Sequence, residues 1–392
     1  MKDIDAMVKT VIVRYGELAL KSEPTRMRFE RCLREDIKSA LNGLSFELRR
    51  ERGRIFISTS SPRSVIRRLV RLPGIVSVSP SVEVEAKIEA ISSAALNLAR
   101  KSLSGKRSFA VRTSRVGSHT FTSRDVNTVV GSLILKKIPE IRVNLSEPDQ
   151  EIFIEIRGER AYVFTEVFSG PGGLPVSTQG KVVALISGRV EGAIASWLMM
   201  KRGCNVIPIF FDARPYADAR AKRLAVKIVK FFRAVEGSNI HFLVVPYGEL
   251  LGVLSKNVQG PLICPICIRG MYKISEILAG EEKAEGVVTG EGFDDLNSLE
   301  YLRILQYGVR IPIFRPLFSF DEGRIEKIAE QARMREFLSY PAGQSCSLFP
   351  RCLPDKVSLR EVLDAEEKLN LNELFRKIAK NAEKIQKWSQ WI

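Results

Sequence analysis

Histidine is almost missing from this sequence: His119 and His241 are the only two in 392 residues. That excludes a multi-histidine metal centre and leaves a Ser-His-Asp centre hanging on one of two candidates. Cysteine is scarce as well. Cys32, Cys204, Cys264, Cys267, Cys346 and Cys352 are too few for a disulfide framework in a chain of this length. No run approaches the ~18 consecutive apolar residues of a membrane span, so no membrane partner is expected. The opening residues MKDIDAMVKT lack the apolar core of a secretory leader, and a cytoplasmic location is expected. Acidic side chains are the minority, 45 against 61 Lys and Arg, for a net charge of +16 with neutral histidines. A surplus of that size draws polyanions, which makes nucleic acid the leading partner.

What is present is ordered and modular. A hydrophobic share of 45% beside 27% charged residues is that of a globular protein. At roughly 150 residues per domain, the length implies two or three domains. Residues 1–82 read as β-α-β-β-α-β, the ferredoxin-like order. A β-branched run at Thr10–Arg14 precedes a helix with Phe29, Leu33, Ile37 and Leu41 on one face, and Ile75–Val82 alternates like a strand. A second α+β block, 83–168, carries a helix from Ser123 to Lys137 that Ser123 is expected to cap, and a hairpin turning at Gly158 and Glu159. Residues 169–180 form a Gly- and Pro-rich linker. From 181 to 392 apolar strands at Val182–Ile186, Val206–Phe211, His241–Val245, Gly286–Thr289 and Ile311–Phe314 alternate with helices, which predicts a doubly wound parallel sheet. The last 30 residues read as helical, with Lys384 among the outward lysines. The fold class is therefore multidomain, part α+β and part α/β.

Charge is concentrated at the front: residues 1–170 hold 30 basic and 20 acidic side chains. No acid falls between Glu89 and Asp125, a window containing Lys106, Arg107, Arg112, Arg115 and Arg124. With His119 and Phe121 able to stack on bases, the window reads as a phosphate track, against the plainer alternative of a solvated basic face. The turn Ser187-Gly188-Arg189 leads from a strand straight into a helix, whose N-terminal N–H groups favour an anion, although many such turns bind nothing. Cys264 and Cys267 in Cys-x-x-Cys spacing, with Cys346 and Cys352 far downstream, suit an iron or zinc centre; a redox dithiol is the competing use. Asp294 and Asp295 read as a solvated loop in preference to a carboxylate pair for magnesium. His241, Cys204, Cys32 and Trp197 read as packing residues.

Several stretches resemble one family. Arg14-Tyr15-Gly16-Glu17-Leu18-Ala19-Leu20-Lys21-Ser22, Phe109 through Arg112, Arg115, Gly117, His119 and Phe121 to Ser123, and Gly170 to Pro175 with Gln179-Gly180-Lys181 are similar to the tRNA 4-thiouridine synthetases. So are Trp197–Gly203, Met271–Ser275, Thr289-Gly290-Glu291 and Arg315-Pro316-Leu317. The likeness, to the type without a rhodanese domain, covers essentially the whole chain. It implies a ferredoxin-like domain, a tRNA-binding THUMP domain and a PP-loop ATP pyrophosphatase domain. Such enzymes adenylate uridine 8 of tRNA with ATP and Mg²⁺, then exchange the activated oxygen for sulfur supplied by sulfide or a persulfide carrier. By family position Leu185, Ile186, Ser187, Gly188, Phe210, Phe211, Arg269 and Gly290 line the nucleotide pocket, Arg189 meets a phosphate, and Glu191 takes the role of an aspartate. Cys264, Cys267 and Cys346 match the ligands of an iron–sulfur cluster, with a persulfide on Cys346 as the alternative. A homodimer is implied as well. The phosphate loop departs from the family's Ser-Gly-Gly-x-Asp-Ser at Arg189, Glu191 and Gly192, and the second nucleotide segment departs at Gly292, Asp294, Asp295 and Leu299. A relative that binds tRNA without turning over ATP is the rival expectation.

Overall fold

The computed structural model describes residues 8–51, 53–236, 240–293, 298–339, 346–348 and 357–385. Arg52, Asp294, Asp295 and Cys352 lie outside the described residues. Packing divides the chain into two compact units, one built from residues up to Lys21 with Leu41–Gly172, the other from Ser22–Ala40 with Gly173 onward.

The first unit is one mixed sheet with helices. Strand β1 (Thr10–Tyr15) is followed by α1 (Glu23–Ala40), β2 (Glu47–Glu51), β3 (Arg54–Ser58), α2 (Pro62–Leu69) and β4 (Ile75–Glu85). Then come α3 (Ile88–Ser102), β5 (Ser108–Val116), α4 (Ser123–Lys137), β6 (Arg142–Val143), β7 (Gln150–Arg157), β8 (Arg160–Phe164) and β9 (Phe168–Ser169). The strand order is β2-β3-β1-β4-β8-β7-β5-β6, with β9 also beside β4. Strand β4 serves both halves: Ser81 pairs with Thr10 of β1, and four residues later Glu85 pairs with Arg160 of β8. The expected boundary at 82/83 therefore falls inside a strand. Helix α1 buries Phe29, Leu33 and Ile37, as its four-residue spacing predicts, but it belongs by packing to the second unit. Apolar faces of α3 (Ile91, Leu98) and α4 (Val126, Val130, Ile134) close over Phe109, Ile152 and Ile156. The cap of α4 is Thr122 rather than Ser123. Its hydroxyl accepts the Asp125 N–H at 3.2 Å while the Asp125 carboxylate accepts the Thr122 N–H at 2.8 Å, a reciprocal pair that Ser123 is one residue too late to make.

The second unit, besides α1, runs β10 (Lys181–Ile186), α5 (Val190–Lys201), β11 (Asn205–Asp212), α6 (Ala219–Glu236), β12 (Phe242–Pro246), α7 (Gly248–Asn257), α8 (Gly260–Glu282), β13 (Val287–Val288), α9 (Leu299–Gln306) and β14 (Ile313–Phe314). It ends with α10 (Glu322–Gln331), α11 (Arg335–Leu338), α12 (Leu359–Lys368), α13 (Leu371–Lys380) and β15 (Glu383–Ile385). The order β14-β13-β10-β11-β12-β15 is parallel except for β15, which runs antiparallel to β12. Lys384, expected on a helix, is thus in that edge strand, pairing with Leu243. One face of the sheet is covered by Ile194 and Trp197 of α5 and Leu224, Ile228 and Phe232 of α6. The other is covered by Leu250 and Leu254 of α7, Ile266 and Ile274 of α8, and Phe375 and Ile378 of α13. Near-continuous apolar strands are what burial on both faces requires. Among the described residues, no helix is long and apolar enough to cross a membrane.

Candidate functional site

In an open parallel sheet the ligand crevice lies at the carboxyl ends of the strands. Here β10 ends in Ser187-Gly188-Arg189, and the Arg189 N–H donates to Ser187 Oγ at 3.2 Å. A Cβ at Gly188 would stand 2.8 Å from Ala221 Cβ on α6, so only glycine lets the loop lie there undisturbed. One turn into α5, a Cβ at Gly192 would stand 2.6 Å from the Leu185 carbonyl oxygen. The departure from serine at this position goes with a helix pressed directly onto its strand. Arg189 pairs with Glu191 at 3.0 Å, and both are solvent-accessible. Such a pair is worth ~0–1 kcal/mol, too little to keep the guanidinium from a phosphate. Leu185 is half-buried, Ile186 buried and Ser187 exposed. Phe210 and Phe211, just before the last residue of β11, have rings buried on opposite faces of the sheet.

Gly290 lies two residues beyond β13. A Cβ there would meet Gly192 N at 2.4 Å and the Glu191 carbonyl carbon at 2.5 Å, so the segment after β13 lies flat on the first turn of α5. Arg269 is only 1% exposed. Its guanidinium binds the Glu366 carboxylate at 2.7 and 3.1 Å and the carbonyl oxygens of Ile304 and Tyr307 at 2.5 and 3.0 Å. Burial pushes the Glu366 carboxyl up, but Arg269 and then Lys273 outweigh it and hold the group below its ordinary value. Arg269 is thus spent joining α8, α9 and α12.

Cys264 and Cys267 sit inside α8 rather than at its start, because the helix begins at Gly260. Three residues apart, they share a face. Both, with Cys346, border the apolar layer formed by α7, α8 and α13. Cys346 Sγ accepts the Leu348 N–H at 3.4 Å. Among the described residues, no three His, Cys, Asp or Glu side chains come together as a metal ligand set. His241 is half-buried just before β12, 3.0 Å from Glu282.

In the first unit the basic window separates into four places. Lys106 and Arg107 are exposed before β5, and Arg115 lies near its far end, most of a nine-residue strand or roughly 30 Å away. Arg115 donates to His119 Nδ1 at 3.2 Å, His119 Nε2 donates to the Gly158 carbonyl at 2.6 Å, and the His119 and Phe121 rings lie 5.4 Å apart. Arg124 is exposed on the first turn of α4. Arg112, mid-strand and paired to Glu151 at 2.9 Å, lines a pocket of about 380 Å³ with Arg14, Arg54, Asn127, Phe153 and Phe164. Glu155, in its wall, takes Arg54 at 2.8 Å, Arg157 at 2.7 Å and Arg14 at 3.4 Å. Burial alone would raise its carboxyl, but these three cations hold it below the usual range. One anion against three cations leaves the pocket positive, and its Asn127 Oδ1 and Thr113 Oγ1 are buried without partners. Sequence reasoning missed Arg54 and Asn127, whose strands and helix meet only in the folded sheet. Arg14 was visible only inside a family motif.

Three family profiles match in order along the chain: the ThiI ferredoxin-like domain over residues 10–79, the THUMP domain over 85–166, and Thiamine biosynthesis protein (ThiI) over 177–371. A probable tRNA sulfurtransferase of Methanothermobacter thermautotrophicus is 36% identical over 386 residues, covering 94% of this chain and 97% of its own. Another, from Saccharolobus islandicus, is 32% identical and covers 96% and 99%. The crystal structure of a 4-thiouridine synthetase–RNA complex with bound ATP superposes with a TM-score of 0.86 at 25% identity, over 96% of this chain and 100% of that one. A Pyrococcus horikoshii protein gives 0.66 at 31% identity, over 82% and 99%. A parallel sheet whose first strand turns straight into a helix, a first unit bearing a cationic pocket, three profiles in order and relatives that span the whole chain agree: the chain belongs to the ThiI family of tRNA sulfurtransferases.

Proposed function

We propose that this chain makes 4-thiouridine at position 8 of tRNA, activating the uridine with ATP and replacing its C4 oxygen with sulfur. The uridine C4 oxygen attacks the α-phosphorus of ATP and pyrophosphate leaves. A sulfur nucleophile then adds at C4, and AMP departs with the oxygen. The observation that supports this reading most is the contact of Gly290 with the first turn of α5, which brings the segment after β13 against the turn after β10 at the strand ends, where such sheets bind ligands. Helix N–H groups and the Arg189 guanidinium suit the charge that builds on the phosphates, and Glu191 is the carboxylate of that loop. Mg²⁺ is part of the proposal as the partner of ATP. The relatives carry the tRNA specificity in their names, and the pocket of the first unit is sized for one unstacked nucleotide rather than a duplex.

For the sulfur, Cys264, Cys267 and Cys346 are the residues that would hold an iron–sulfur cluster, whose open iron would supply a place for incoming sulfide. Their shared apolar layer supports this, while the third ligand is not within reach of the other two among the described residues. Incubating the protein with ATP, Mg²⁺, sulfide and unmodified tRNA is expected to yield tRNA-bound 4-thiouridine, read by its near-ultraviolet absorbance. Normal tRNA binding without product would favour the inactive rival. Iron and sulfide analysis after anaerobic purification, with and without Cys264→Ser, tests the cluster separately.

A further inference from the structure

Tyr272, Thr289, Glu291 and Arg315 form a closed polar knot beside the nucleotide crevice, and nothing in the thiolation chemistry uses it. The Tyr272 hydroxyl lies 2.6 and 2.5 Å from the two Glu291 carboxylate oxygens. Thr289 Oγ1 donates to Glu291 Oε2 at 2.8 Å, and Arg315 Nε donates to the same oxygen at 3.2 Å. Arg315 Nη2 donates to the Tyr272 oxygen at 3.0 Å, and its guanidinium stacks over the Tyr272 ring at 5.4 Å. The donors balance: the tyrosine gives its one proton to Glu291 and takes one from Arg315. Tyr272 is fully buried, and burial followed by the Glu291 charge keeps its hydroxyl protonated far past neutrality.

We propose that Tyr272 and Arg315 are positioning residues for ATP: by clamping Glu291 they hold the Thr289-Gly290-Glu291 turn flat on the first turn of α5. The inference deepens the sulfurtransferase reading and rests on it. The turn needs such a clamp because β13 is only two residues long, so the sheet ladder anchors it weakly. It must also be held closely, since Gly290 backbone runs where even a Cβ would stand 2.4 Å from Gly192 N. Arg315 leaves the carboxyl end of β14 and Tyr272 projects from α8, so the clamp ties three elements to one carboxylate. Glu291 itself is not poised as an acid or base, because tyrosine, threonine and arginine already occupy both of its oxygens. The arrangement fixes where the backbone of Gly290 sits, and on the sulfurtransferase reading that backbone lines the ATP site.

The test compares the unaltered full chain with Tyr272→Phe, which keeps the ring, and Arg315→Lys, which keeps the charge but loses the two-point fork. Calorimetric ATP binding, steady-state thiolation, tRNA affinity and thermal midpoint are measured for each. ATP affinity is expected to fall about tenfold for Arg315→Lys and about threefold for Tyr272→Phe. KM for ATP should rise in step, while kcat at saturating ATP and tRNA affinity stay within about twofold. A merely structural role would instead lower the thermal midpoint and kcat together, and saturating ATP would not restore the rate. Unchanged ATP affinity in both variants overturns the proposal, as does a loss confined to kcat. If the unaltered chain binds no ATP, the parent reading falls and this one with it, an outcome visible in the control alone.

Discussion

Gly290 is the residue where one methyl group decides most. Its Cβ position is occupied by the backbone of Glu191 and Gly192, which have no flexible end to move aside. Gly290→Ala is therefore expected to lift the second nucleotide segment off α5 and weaken ATP binding by about tenfold or more, with tRNA affinity unchanged. Fluorescent-nucleotide titration measures the first and filter binding the second; equal ATP affinity would mean that the segment takes no part in the site. The glycines at 188 and 192 follow the same logic, and it makes sense of a departure from the family motif that sequence alone presents as damage. A serine at 192 would collide with Leu185, so its loss accompanies closer packing rather than decay. Sequence position also pointed to Arg269, but could not say that Glu366, 97 residues downstream, would take its guanidinium. A long-range ion pair of this kind leaves no periodic or local signal.

At the scale of elements, apolar periodicity located most strands and helices, because burial on one or both faces dictates those patterns. It failed where pattern gives way to pairing. The strand β15 is three residues with no alternation to read, held by β12 and by the Lys384–Glu282 ion pair at 3.0 Å. Helix α1 was legible as a helix, yet nothing in its sequence says that it packs with the second unit. Its Asp36 shows a consequence. One carboxylate oxygen is buried without a partner, and burial pushes the group up to about 7, Glu35 adding to the rise and the Val176 N–H opposing it. With an unfolded value near 4, the folded form holds the proton more tightly between about pH 4 and 7, so stability is greatest below that window and falls as pH rises through it. Asp36→Asn should abolish this slope and raise the thermal midpoint at pH 8 relative to the unaltered chain. Parallel midpoint profiles from pH 5 to 8 would contradict the burial of the charge.

Over the whole molecule the charge excess was the clearest message of composition, and the fold shows where part of it goes. Arg14, Arg54, Arg112 and Arg157 come from four different strands, yet gather at a single pocket or its wall. Replacing Arg54 and Arg112 by glutamine should weaken tRNA binding and reduce the slope of log K against log salt by about one for each phosphate no longer neutralised. An unchanged slope would reduce the pocket to a structural joint. The proposed function assigns ATP chemistry to the second unit and RNA recognition largely to the first, so the reaction should depend on both.

Nucleotide products after a single turnover test this dependence most directly. With unmodified tRNA, ATP and Mg²⁺, adenylation of the uridine predicts pyrophosphate and an AMP-derived product in equal amounts, and neither when tRNA is omitted. Release of ADP and inorganic phosphate, or pyrophosphate formation indifferent to tRNA, would contradict it.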